Sequence, residues 1–139
     1  MKEFICSIAS MIATGLLYLL GGLDVALGCL LVCIILDFMS GVVKAYITKD
    51  LCSTIGFKGI LKKVSILIIV MLSVLIDRVT GESGAIRTLV IYYFVANEGL
   101  SIIENLGEAG VPIPAIIKDS LKALRKESKG KSKGVKNGV

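Results

Sequence analysis

The sequence has no histidine, no tryptophan and only two prolines, and charged residues make up just 19% of its 139 positions. Without histidine, the commonest general base and metal ligand is missing, which excludes triad hydrolases and His-bearing zinc sites. No phosphate loop, nucleophile–base pair or nucleotide fingerprint takes its place. Cys6, Cys29, Cys33 and Cys52 remain. With no histidine and no paired C-x-x-C, they read as small packing residues of apolar helices rather than ligands. No catalytic residue, metal or cofactor is expected. What is abundant is apolar surface: 55% of the chain is hydrophobic, against about 45–50% in soluble globular chains. The length allows one domain.

The net charge of +5 suggests either a membrane or nucleic acid as partner. Its distribution decides between them. Residues 118–139 hold eight basic and two acidic side chains, a charge of +6, which leaves −1 on residues 1–117. A nearly neutral apolar body carries a basic tail, and nucleic acid loses its support.

A membrane-crossing helix needs about 20 mostly apolar residues. Phe4 to Leu23 is uncharged throughout, and Val25 to Val43 is broken only by Asp37. Val64 to Ile76 is shorter, but Lys62 and Lys63 precede it and can snorkel to the interface. Thr88 to Ile103 contains Glu98, with Tyr92 and Tyr93 as packing or interface anchors. The expectation is an all-α integral membrane bundle, residues 1–110, with candidate spans 4–23, 25–43, 60–79 and 88–105. The count is four, or three if one segment stops short. A cleaved signal peptide over residues 1–23 is the competing reading of the first segment, but its apolar run is long and no small-x-small cleavage site follows. A soluble helical core fits less well, because the first two runs are too long and too close together.

Lys and Arg in short loops set the orientation. The turn at 21–24 has none, and the 77–87 connection balances Arg78 and Arg87 with Asp77 and Glu82. The 44–63 connection carries Lys44, Lys49, Lys58, Lys62 and Lys63 against Asp50 alone. Four spans put this loop, the N-terminus and the basic tail on the cytoplasmic side of a bacterial membrane.

Pro112 and Pro114 open a separate element over residues 111–127. Ile113, Ile117, Leu121 and Leu124 recur there at helical spacing. Lys118, Lys122, Arg125 and Lys126 occupy its other faces, so it reads as a basic amphipathic helix suited to an anionic leaflet. Residues 128–139 are rich in Gly, Lys and Ser and are expected to be disordered.

Charges inside apolar spans are costly, about 2.5–3.5 kcal/mol each at a helix centre on insertion scales, and so point to use. Asp37, Gly41 and Lys44 share one face of the second span, and Ser40 and Gly41 allow a neighbouring helix close approach. This face and Glu98 are the candidates for helix assembly or for lining water. The plainer reading is an ion pair between Asp37 and Lys44. Glu104 and Glu108 read as a solvated end.

The segment from Leu36 to Lys63, LDFMSGVVKAYITKDLCSTIGFKGILKK, resembles the toxin-secretion/phage-lysis holin family of phages and prophages of Gram-positive bacteria. The matching residues are Asp37, Ser40, Gly41, Lys44 and Ala45, then Ser53, Gly56, Lys58, Gly59 and Lys63, and finally Asp77 closing the next apolar run. Lys49 and Lys62 complete the basic loop. The resemblance covers roughly residues 25–125. It implies a lysis protein that accumulates in the cytoplasmic membrane and then assembles with itself into large lesions at a set time. Those lesions release an endolysin or, for members beside toxin genes, a large toxin. The partners so implied are other copies of the chain and membrane lipids, with the released protein a functional partner only. From the residues alone, a small four-helix proton-coupled cation or drug transporter is the alternative, with Asp37 or Glu98 alternately binding a proton and a cation. A membrane scaffold without pore activity is the third.

Overall fold

The structure, a computed structural model, describes residues 1–49 and 53–134. Those residues form five helices and no strand: α1 (Lys2–Leu19), α2 (Val25–Thr48), α3 (Ser53–Thr80), α4 (Ala85–Glu108) and α5 (Ala115–Gly134). The first four are long and apolar enough to cross a membrane, α3 from Gly56 onward. A helix of 24 residues, the length of α2 and of α4, reaches about 36 Å at 1.5 Å per residue, which exceeds a hydrocarbon core of about 30 Å. The all-α membrane bundle expected from the sequence is the architecture observed.

The helix ends follow from local chemistry. α1 stops before Gly21 and Gly22, whose φ values of +81° and +90° continue no helix. Gly22 N–H returns to Leu17 O at 2.8 Å, closing the orphan carbonyls of the last turn. Asp24 then caps α2, its carboxylate accepting from Leu27 N–H at 2.9 Å. The 44–63 connection is shorter than the sequence suggests, because α2 runs to Thr48 and α3 begins at Ser53. Lys49 ends α2 in the left-handed region with φ 59°. α4 has no capping side chain of its own; Asp77 of α3 caps it from outside, as described below.

Apolar and polar residues are arranged as a bilayer requires. α2, α3 and α4 pack together around Leu27, Leu30, Ile66, Val70 and Ile91, with Leu20 closing one end. Asp37, Ser40, Ser73, Asp77, Arg87 and Glu98 are buried among these helices, while Ile68, Ile69, Leu72 and Leu75 of α3 face outward. In water that exterior would be expensive; in lipid it costs nothing, and the polar groups must then find partners inside. α1 buries none of its residues and touches chiefly α3.

After Pro114 the chain reverses, and α5 runs antiparallel along α4. Leu121 sits against Gly99, while Leu124 and Glu127 reach the level of Gly84, Ala85 and Thr88 at the far end. The helix continues to Gly134, into the stretch whose composition suggests disorder; residues 135–139 lie outside the described part of the chain.

Candidate functional site

The α2 face singled out in the sequence turns inward and meets α4, with α3 closing the third side. Lys63, on α3, places its Nζ between Asp37 Oδ2 of α2 and Glu98 Oε2 of α4 and donates to both. Asn105 of α4 donates through Nδ2 to Asp37 Oδ1 at 3.2 Å and to Ser40 Oγ at 3.1 Å. Gly41 lies beside this contact, where a Cβ would meet the same Nδ2 at an ordinary 3.7 Å. Ser40 in turn donates to Asp37 O at 3.0 Å. One cation thus serves two carboxylates from different helices, and the Asn105 amide joins those two helices, α2 and α4, directly.

The cluster is dry. Glu98 is 0% exposed and Asp37 8%, and the Lys63 side chain is 12% exposed. Glu98 Oε1 has no hydrogen-bond partner among the described residues. Breaking such a buried pair from one side typically costs about 3–5 kcal/mol, because the remaining charge is left uncompensated. The cluster therefore holds α2, α3 and α4 in one arrangement as long as water stays out.

Two expectations are corrected here. Lys44, although on the Asp37 face, does not pair with Asp37. It reaches down to Glu108 at the end of α4, where both side chains are partly exposed at 32% and 58%, so Glu108 is not merely a solvated end. Lys63 is not a loop or interface lysine: it lies well inside α3, one helical face with Ile66, Val70, Ser73 and Asp77, all buried. The i, i+3, i+7 spacing of those residues was the signal that placed it inward. The remaining loop candidates separate from it. Gly56, Lys58 and Lys62 are exposed on the first turns of α3, Gly59 is half-buried, Lys49 is the exposed end of α2, and Ser53 opens α3.

The opposite end of the bundle holds a second cluster that sequence reasoning read as balanced loop charge. Arg87 is 7% exposed. Its Nε donates to Leu20 O at 2.7 Å, and its Nη1 and Nη2 fork onto Asp24 Oδ2 and Oδ1 at 2.7 and 3.2 Å. Nη2 also donates to Gly22 O at 3.0 Å. Asp77 accepts from Ile86 N–H at 3.0 Å and Arg87 N–H at 2.8 Å, satisfying the open start of α4. The Arg87 guanidinium holds the Asp24 carboxyl well below its ordinary range, at about 2, helped by the Leu27 N–H. Arg78 adds a contact to α1, with its guanidinium 4.3 Å from the centre of the Tyr18 ring and donating to Tyr18 O at 2.9 Å.

The basic face of α5 lies apart from both clusters. Lys118, Lys122 and Lys126 are exposed and Arg125 is half-buried. Together with Ile113 they border a cavity of about 640 Å3 against Leu100, Ile103, Glu104 and Glu108 of α4. Cys6, Cys29 and Cys33 are free thiols, and Cys52 lies outside the described residues.

Four apolar helices on a polar, ion-paired interior define a small multi-helix membrane protein. The chain belongs to the bacteriophage holin family, whose profile matches residues 14–126, from the second half of α1 to Lys126 of α5. A probable holin of Bacillus phage phi105 is 35% identical over 103 residues, covering 74% of this chain and 76% of that protein. An uncharacterized 14.9 kDa protein in the nagH 3′ region of Clostridium perfringens is 44% identical over 77% of this chain and 82% of its own. The Listeria monocytogenes protein Lmo0128 is 37% identical over 73% of each chain. No solved structure matches the chain.

Proposed function

We propose that the protein is a working holin of the bacterial cytoplasmic membrane: it accumulates there, self-associates, and opens lesions that let an endolysin or a large toxin out. Both termini face the cytoplasm in this reading, since the lysines of the α2–α3 connection and the α5 region then lie on the inner side. The basic face of α5, Lys118, Lys122, Arg125 and Lys126, is the inner-leaflet contact.

The observation that carries the proposal is the Lys63 bridge between Asp37 and Glu98. A holin needs a state that is inert in the membrane and a second state that lines water. Charges paired inside a single chain supply the first, because α2, α3 and α4 turn Asp37, Lys63 and Glu98 inward and present chiefly apolar side chains outward. When copies associate and water enters, solvation replaces the internal pairing, so the same groups can line the lesion. Asp37, Ser40, Gly41, Lys44 and Glu98 are thus the assembly and pore-lining face, and Lys63 and Asn105 belong with them.

The transporter reading requires a place for a cation between membrane carboxylates. Lys63 fills that place with its own ammonium, which favours the holin.

Expression in a bacterial host together with a cytoplasmic endolysin that lacks an export signal tests the proposal. Sudden lysis after a delay is expected. Resistance to toxic cations without lysis would favour transport, and neither effect would favour a scaffold. Asp37→Asn should shift lysis onset much more than Lys44→Leu, since only Asp37 belongs to the dry cluster. Unchanged onset in both variants would remove the assignment of this face.

A further inference from the structure

α5 has a single apolar stripe, Ile117, Leu121 and Leu124, and the structure shows what it covers. Leu121 occupies the notch left by Gly99: a Cβ at that position would fall 2.8 Å from Leu121 Cδ2 and 3.1 Å from Cδ1. Leu124 lies further along α4, bordering a cavity of about 310 Å3 with Thr88, Leu89 and Tyr92. Leu121 and Leu124, which a basic amphipathic helix would press into a leaflet, are therefore the residues that hold it to α4, while Ile116 and Ile117 stay exposed. One stripe cannot serve both partners at once.

The docked position also sets Lys118, Lys122 and Lys126, all exposed, alongside the membrane-crossing length of α4. Among the described residues that border the groove, Glu104 and Glu108 are the acidic ones, and Glu108 is already paired with Lys44. These lysines gain little by staying. An anionic phospholipid surface offers them counter-charge and offers the stripe a place to bury.

We propose that α5 exchanges between two mutually exclusive seats, the Gly99 face of α4 and an anionic phospholipid surface, and that the lipid displaces it from α4. This deepens the inner-leaflet contact assigned above and rests on the membrane reading, not on lysis itself. A lipid headgroup phosphate and free phosphate both offer anionic oxygens, but only the lipid surface also takes the apolar stripe.

Thr88 and Glu127 border the same cavity, so cysteines in their places, bridged by a short bis-maleimide, report docking. In a full chain with Cys6, Cys29, Cys33 and Cys52 replaced by serine, Thr88→Cys and Glu127→Cys should cross-link with that reagent in zwitterionic detergent micelles. Adding phosphatidylglycerol should lower the yield on the order of tenfold, while inorganic phosphate at equal concentration should leave it high. Lys118→Gln, Lys122→Gln and Lys126→Gln together should restore cross-linking in phosphatidylglycerol; three such lysines shift the equilibrium on the order of a hundredfold. These exposed substitutions do not disturb the bundle, so the test does not depend on a variant that fails to fold. Gly99→Leu should abolish cross-linking in every lipid. Equal yields with and without phosphatidylglycerol, or full yield in Gly99→Leu, would overturn the proposal. The readout is independent of lysis, so loss of holin activity and failure of this exchange are told apart.

Discussion

Lys63 and Glu98, 35 positions apart in the chain, form an ion pair inside the bundle, and the same ammonium also donates to Asp37. Three transmembrane helices are thus joined at one nitrogen atom. Removing it leaves two buried carboxylates facing one another. Lys63→Met should destabilise the chain in detergent by about 3–5 kcal/mol, read as a lower unfolding midpoint. Adding Asp37→Asn and Glu98→Gln should recover a large part of that loss. If the triple variant is no more stable than the single one, the cluster is not a coupled unit.

Asn105 makes a more modest contribution. Its amide serves Asp37 and Ser40, and each hydrogen bond is worth about 0.5–1.5 kcal/mol net. Asn105→Ala should therefore cost about 1–3 kcal/mol in the same unfolding measurement. Combined with Ser40→Ala the losses should be less than additive, because both changes remove one shared bond.

The α1–α2 turn offers a comparison between adjacent glycines. Both have positive φ, but a Cβ on Gly21 would lie 2.7 Å from Arg87 Nε, whereas one on Gly22 meets nothing within 4 Å. Gly22→Ala should cost only the left-handed conformation, about 1–2 kcal/mol. Gly21→Ala should cost clearly more, since it also dislodges Arg87 from Leu20 O. Thermal unfolding of the two variants side by side checks the order; equal effects would mean that Arg87 yields freely.

Asp24 supplies a pH dependence with a definite sign. Its carboxyl titrates at about 2 instead of 3.8, chiefly because Arg87 hydrogen-bonds to it. A depressed folded-state pKa gives stability that is present above the ordinary value and lost as pH falls towards 2. Unfolding midpoints measured between these limits should drop with acid, and Asp24→Asn should flatten that part of the profile. The effect should be small, because half of the Asp24 side chain is exposed.

The lengths and hydropathy of the runs were legible in the sequence, and so was the inward character of Asp37 and Glu98. A charge in an apolar run of that length has to be inside, whatever the fold. Pairing was not legible. Lys44 is the nearest basic residue along the Asp37 face, and one-dimensional spacing favours it. Only the crossing of α2 over α4, which brings Asn105 to Gly41 and carries Lys44 towards Glu108, makes Lys63 the partner. The Arg87 cluster was hidden for the same reason: Asp24, Asp77 and Arg87 look like turn charges until α3 and α4 bring their ends together.

What the sequence determined by itself is the solvent. Long apolar runs and a basic tail make this a helical membrane protein without regard to how the helices meet. The tertiary structure decided which charges neutralise which, and which surface α5 covers. Hydropathy acts on each segment separately and survives any rearrangement. An ion pair needs two side chains within a few ångströms, and that distance exists only once the helices are packed.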